Sequence, residues 1–253
     1  LNHALGLVSL GALEAGRRWF ALAWHKPLGQ FLLYGALLVH LGLALTSLYR
    51  RRPLRLSAWE WTQWILGGLI VPLGVIHVVG TRLAHALYDV ETGYPWVLGS
   101  LASSDAWGVT RQFALPLVVW LHACIGLHFA WRLRPWYRRW LPLLYAGALL
   151  LPVAGLAGAA VALRDVAELA RQPGFLAELF VRVRVPRAEQ VANLYAIADG
   201  LLLLALGLVV GVLAARPLRD LWERRAGVVR LDYDERRSFA QPAGPSVRDA
   251  GHA

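Results

Sequence analysis

Runs of about twenty apolar residues recur along this chain, and few folds can accommodate them. They cover approximately residues 27–49, 61–88, 108–131, 141–163 and 195–215. Each is long enough to cross a bilayer as a helix rising about 1.5 Å per residue. In hydrocarbon every backbone N–H and C=O must be satisfied within the protein, which points to a bundle of helices. The hydrophobic fraction of 57% and mean hydropathy of +0.47 agree, being high for a soluble domain of 253 residues.

Residues 1–10 are apolar but span only half the required length, and read as the outer end of a first helix. GALEAGRRWFALAWHK follows, with Trp19, Phe20 and Trp24 on one side and Glu14, Arg17 and Arg18 on another, the pattern of an interfacial amphipathic helix. The polar stretch at 164–190 predicts another, with a turn at Pro173–Gly174. The expected fold is thus all-α: five complete transmembrane spans, the end of a first, and interfacial helices.

The net charge of +10 does not indicate nucleic acid, because the arginines cluster between apolar runs instead of lining a face. They crowd residues 50–55, 132–139 and the segment after 215, whereas the 89–106 loop carries only acids. The positive-inside rule then puts the C-terminus in the cytoplasm, as expected of a multi-pass bacterial inner-membrane protein. Tryptophans 19, 24, 59, 61, 96, 107, 131, 136, 140 and 222 fall near the expected helix ends, as an interfacial belt should. Cys124 is the only cysteine, which excludes a disulfide framework or a cysteine-built metal site. No methionine occurs, so the chain reads as part of a longer protein. After Gly227 short apolar alternation and a charged turn predict a β-hairpin, dividing a membrane domain, 1–226, from the start of a soluble one, 227–253.

His3, His40, His77, His85, His122 and His128 all fall within apolar segments. Any one of them could make an interhelical hydrogen bond worth about 0.6 kcal/mol. Histidine in each of the first four helices, and none in the last two, suggests instead a shared ligand, and imidazole is an axial ligand of haem iron. By rise per residue, His40 and His122 lie at matched depth, roughly 20 Å from the outer end. His3 and His77 lie nearer the outer face and could hold a second haem, with His85 the alternative to His77. Gly35, Gly42, Gly74, Gly80 and Gly126 near the histidines would leave room for a flat ring, or simply let helices pack closely. Arg82 and Arg132 stand where they could neutralise anionic propionates or snorkel to the interface.

HVVGTRLAH resembles the succinate dehydrogenase/fumarate reductase class of membrane cytochrome b. The resemblance gives His77 the role of haem b ligand and places Gly80, Arg82 and His85 near the propionates. The two histidines are eight apart here, where the family pattern has seven. WLHACIGLH repeats the theme with His122, Gly126 and His128. More closely, LNHALGLVSLGALEAGRRWF, LYRRRPLRLSAWE, HVVGTRLAHALYDVETGY and HACIGLHFAWRLRPWYRR resemble bacterial proteins in which a six-helix cytochrome b-like domain precedes a plant-type [2Fe–2S] ferredoxin and a class III adenylate/guanylate cyclase. That resemblance implies one or two haem b groups and a tail that opens a truncated ferredoxin-like domain whose cluster ligands lie downstream. It also implies ferredoxin and cyclase domains as partners in cis, with a homodimer by analogy to the cyclases. The expected function is transmembrane electron transfer or redox sensing, with quinone among the candidate partners. The alternatives are a quinone-reactive anchor of a succinate dehydrogenase-like complex and a non-redox membrane anchor or sensor.

Overall fold

The computed structural model describes residues 2–51, 56–226, 228–234 and 237–242. The loop arginines Arg52 and Arg55, and the tail after Pro242 with His252, lie outside the described residues. Five helices are long and apolar enough to span a membrane: Pro27–Arg50, Ala58–Tyr88, Ala106–Trp131, Pro135–Ala170 and Ala188–Arg225. The chain is a multi-pass membrane protein, and its apolar side chains are distributed accordingly. Phe31, Leu38, Val153 and Leu203 stay largely exposed, as suits surfaces that face lipid instead of water.

The chain falls into two compact units. The first comprises Leu1–Gln30 and Ser57–Leu203. It opens with a 3₁₀ helix, Asn2–Leu7, followed by α1, Leu10–Trp24. The N-terminal stretch is therefore a tight 3₁₀ segment, not the end of an α-helical span. Ser9 breaks it from α1 by capping the new helix, its Oγ accepting from the Ala12 N–H at 3.0 Å. The amphipathic α1 forms where the sequence suggests.

The second long span is composite. Ser57 and Glu60 form a reciprocal capping box that starts α3, Ala58–Val78. A π-helical segment, Val79–Leu83, and the short α4, Ala84–Tyr88, continue it to a left-handed end at Asp89. The acidic loop contains a helix not expected from sequence, α5, Tyr94–Ala102, whose first turn holds Pro95. Asp105 then caps α6, Ala106–Trp131, accepting from Gly108 N–H at 2.8 Å. The long α7, Pro135–Ala170, absorbs part of the expected polar linker. The turn at Pro173–Gly174, with Gly174 at φ 86°, leads into α8, Phe175–Arg182. The first sixteen residues of α9, Ala188–Arg225, complete this unit.

Two small clusters hold this end of the unit. Leu13 of α1, Leu98 of α5, and Ala162 and Val166 of α7 form one; Val79, Ala84, Val90, Leu194 and Ala198 form the other. The 3₁₀ helix and α7 approach each other backbone to backbone. A Cβ on Gly6 would lie 2.2 Å from the Gly158 carbonyl oxygen, and one on Gly158 would lie 2.1 Å from the His3 oxygen.

The second unit comprises Phe31–Leu56 and Leu204–Ala253. It holds most of α2, Pro27–Arg50, and the remainder of α9. The last carbonyls of a helix have no partner within it. Here Arg219 of α9 donates to the Tyr49 oxygen and Arg216 to the Arg51 oxygen. Arg219 also stacks over the Tyr49 ring at 4.8 Å. Beyond α9 the backbones of β1, Val228–Asp234, and β2, Arg237–Pro242, pair antiparallel, with Val228 opposite Pro242 and an irregularity between Asp232 and Asp234.

The Gly6–Gly158 contact predicts that Gly6→Ala and Gly158→Ala each cost about 1–3 kcal/mol, since backbone must shift to admit a methyl group. Gly147→Ala on the same α7, where a Cβ meets nothing within 4 Å, should cost nothing. Thermal unfolding in detergent compares the three; equal midpoints would remove the claim.

Candidate functional site

His77 is the penultimate residue of α3, two residues before the π segment begins at Val79. Its Nδ1 is 3.2 Å from the Gln112 side-chain amide on α6. The Thr81 hydroxyl donates to the His77 backbone oxygen at 2.6 Å. His3 is held from the other side of the unit. Its ring meets Tyr94 edge-on, with centroids 5.8 Å apart. Tyr94 is fixed in turn by the Asn2 amide, which donates to its hydroxyl at 3.0 Å and to the Leu13 oxygen at 3.1 Å. Burial, and then His77, keep His3 below the ordinary imidazole pKa.

His3 and His77 line the same two cavities. The inner one, about 310 Å³, is walled by apolar side chains of α5, α6 and α7, among them Phe113, Trp120 and Leu156. The outer one, about 300 Å³, shares His3, His77, Tyr94 and Gln112 but is rimmed by Arg17, His25, Arg82 and His85. The arrangement is an apolar slot opening on a cationic mouth.

The charges at the mouth are not equivalent. Glu14 binds Arg17 at 2.9 and 3.0 Å and accepts the Tyr94 N–H at 3.0 Å, capping α5. Burial alone would raise the Glu14 carboxyl; the hydrogen bonds from Arg17 and Tyr94 outweigh it and hold the group below the usual carboxylate range. Arg82 makes no hydrogen bond or ion pair among the described residues. Its field shows at His25, which burial and then Arg82, Arg17 and His85 push below the ordinary imidazole value. The mouth carries an uncompensated cation.

The π segment sets the register of this face. On a regular helix, residues eight apart stand roughly 80° from each other. A π turn takes up one extra residue per turn, bringing His77 and His85 back to roughly 20°. Both line the outer cavity. Trp96 seals the distortion by donating its indole N–H to the Gly80 oxygen at 3.0 Å. The eight-residue spacing thus places both histidines on one side.

The remaining sequence candidates are placed differently. His122 packs against α3, where a Cβ on Gly67 would lie 3.1 Å from its Cε1, and its carbonyl accepts from Gln63. His40 is exposed on α2 in the second unit, so the expected His40–His122 pair draws on both units. His85 Nδ1 bonds the Val90 oxygen at 2.9 Å, and His128 Nδ1 bonds the Tyr137 hydroxyl at 3.0 Å. Arg132 is exposed and lies over Phe129 at 5.4 Å, beside His128 and outside both cavities.

Tyr94, Gln112 and His25 were not among the sequence candidates, and Arg17 was read only as part of the polar face of α1. Gln112 alone carried a signal, as a polar side chain in an apolar span. No group of three or more His, Cys, Asp or Glu that could hold a bare metal ion occurs among the described residues. A haem supplies four ligands of its own, so two imidazoles suffice for it. No known family model, curated protein or solved structure matches the chain.

The pH response has a defined sign. His3 and His25 have lowered folded pKa values, so the folded state loses stability as pH falls below their ordinary value of 6.5. Glu14 is also lowered, and its contribution is present at neutral pH and lost as the carboxylate protonates in acid. Glu14→Gln should flatten the acid limb of an unfolding-midpoint-against-pH curve while leaving the limb near 6.5. An unchanged acid limb would show that Glu14 is not the group responsible.

Proposed function

We propose that this chain is a membrane haem b domain that transfers or senses electrons across the bacterial inner membrane, its C-terminus facing the cytoplasm. The observation that carries the reading is the amphipathic slot: two imidazoles from separate elements, apolar walls, and a mouth with an unpaired arginine. That polarity suits a haem, whose macrocycle is apolar and whose propionates are anionic. His3 and His77 would hold the iron, and Arg82, Arg17 and His85 would offset the charge of the anionic propionates.

Gln112 positions His77. An amide's oxygen and nitrogen exchange places by a simple flip. With Oε1 accepting from Nδ1–H, the Nε2 lone pair of His77 is left for iron. Glu14 anchors Arg17 and the start of α5, keeping Tyr94 against His3. The walls exclude water. When bound, a haem with two imidazole ligands would exchange single electrons with no coordination position open to oxygen.

The output belongs to the same proposal. The strand pair after α9, the arginine-rich ends and the resemblance to ferredoxin–cyclase proteins support a ferredoxin-like domain whose [2Fe–2S] ligands lie downstream. Redox state would then reach a cyclase in cis, itself working as a dimer by analogy. Quinone is the proposed membrane-borne electron partner.

A reduced-minus-oxidised absorbance spectrum of the purified chain, with haem counted per polypeptide, tests this. One or two haems per chain are expected. His3→Ala and His77→Ala should each remove one equivalent, and Arg82→Gln should lower a midpoint potential by removing a cation that favours the reduced form. Colourless protein would end the proposal; full haem content in both histidine variants would end the ligand assignment alone.

A further inference from the structure

A third cavity, of about 280 Å³, shares His77, Val97, Leu101 and Gln112 with the inner slot. Its walls are α3, the π segment, α5, the start of α6 and the first turns of α9, all in the first unit. Most of its lining is apolar, including Leu73, Ile76, Leu194 and Ala198. One residue does not fit that description. Arg111, half-buried on α6, faces the cavity and makes no hydrogen bond or ion pair among the described residues.

A half-buried guanidinium with no partner is costly in a low-dielectric setting unless an anion completes it. The neighbours offer no such anion. Ser100 and Tyr195 add hydroxyl donors, and neither side chain makes a hydrogen bond among the described residues. The Ser104 and Thr81 hydroxyls are already donated to the Ser100 and His77 oxygens. No Asp or Glu lines the cavity. Donors thus line a largely apolar pocket that lacks an anionic acceptor.

We propose that this cavity binds the anionic headgroup of a membrane phospholipid, with Arg111 pairing the phosphate and Ser100 and Tyr195 completing its hydrogen bonds. The acyl chains run over the apolar wall of α3 and α9. Phosphate is the shared chemistry of a lipid and of the free ion. The lipid is the occupant because the pocket is apolar apart from its donors, and Tyr195, on a membrane-spanning helix, remains largely exposed at its edge. Arg111 is distinct from the cations of the mouth: the two cavities have only His77, Thr81, Val97 and Gln112 in common, and Arg82 and Arg17 line only the mouth.

The test uses the full chain, extracted from membranes and exchanged into nanodiscs of phosphatidylcholine with a minor fraction of phosphatidylglycerol. Native mass spectrometry counts phosphatidylglycerol retained per chain, a readout that does not depend on haem. Wild type should retain one more molecule than Arg111→Gln, with apparent affinity about tenfold higher. Tyr195→Phe should fall between them. Arg18→Gln removes an equal charge from an exposed position on α1 and should match wild type. Equal retention by wild type and Arg111→Gln overturns the site. An equal loss in Arg18→Gln also overturns it, since bulk charge attraction then explains the binding. Displacement of the retained lipid by inorganic phosphate overturns the lipid as occupant. Circular dichroism confirms that Arg111→Gln is folded; if it is not, Arg111→Lys, which keeps charge but loses the bidentate fork, must show the reduced retention or the proposal fails.

Discussion

Hydrocarbon supplies no hydrogen bonds, so each interruption of a spanning helix must be answered by a side chain. That constraint organises the first unit. Pro152 removes the N–H that would have bonded the Ala148 oxygen, and the Trp120 indole fills the place at 2.9 Å. The π segment is matched in the same way by Trp96 on the Gly80 oxygen. Trp120 lines the inner slot and Trp96 the third cavity. The repairs and the cavities are therefore built from the same side chains, and the cavities lie where the helices depart from regularity.

Placement of His3 shows the same economy. A six-residue 3₁₀ segment has almost no stability of its own. It is fixed by backbone contact with α7 at Gly158, by Asn2 bridging to Leu13 and Tyr94, and by Leu13 at the centre of a small cluster. Tyr94 depends in turn on Glu14, which caps its helix. Residues distant in sequence thus converge on one imidazole, and loss of any of them would loosen the slot's second wall.

Much of the architecture was legible in the sequence because lipid imposes a length. The five spans follow from apolar runs, and the amphipathic α1 from its one-sided aromatics. Helix α5 was not legible, since YPWVLGSLA is too short to show a period and reads as loop beside the acids that flank it. The register of His77 and His85 was also hidden. Eight residues on a regular helix would set them apart, and nothing in VGTRL announces a π turn. The association of His3 with His77 could be guessed from depth, whereas Gln112 and Tyr94 could not, because their roles arise from packing between elements. The depth argument ranked His40 with His122 first; the shared cavities give His3 and His77 the stronger case.

The arginines show why residue type alone underdetermines role. Arg184 bridges Asp89 and Glu91 at the surface, a pairing that contributes little to stability but pins the acidic loop. Arg216 and Arg219 close the carbonyl end of α2 from α9, so the end of α2 and the helix leading to β1 are joined by direct hydrogen bonds. Arg17 is neutralised by Glu14 and acts as scaffold. Arg82 and Arg111 differ from all of these in having no protein partner among the described residues. A cation left uncompensated at the edge of an apolar cavity marks where an anion from outside the chain would be most stabilised, and the first unit presents two such places, both lined in part by His77.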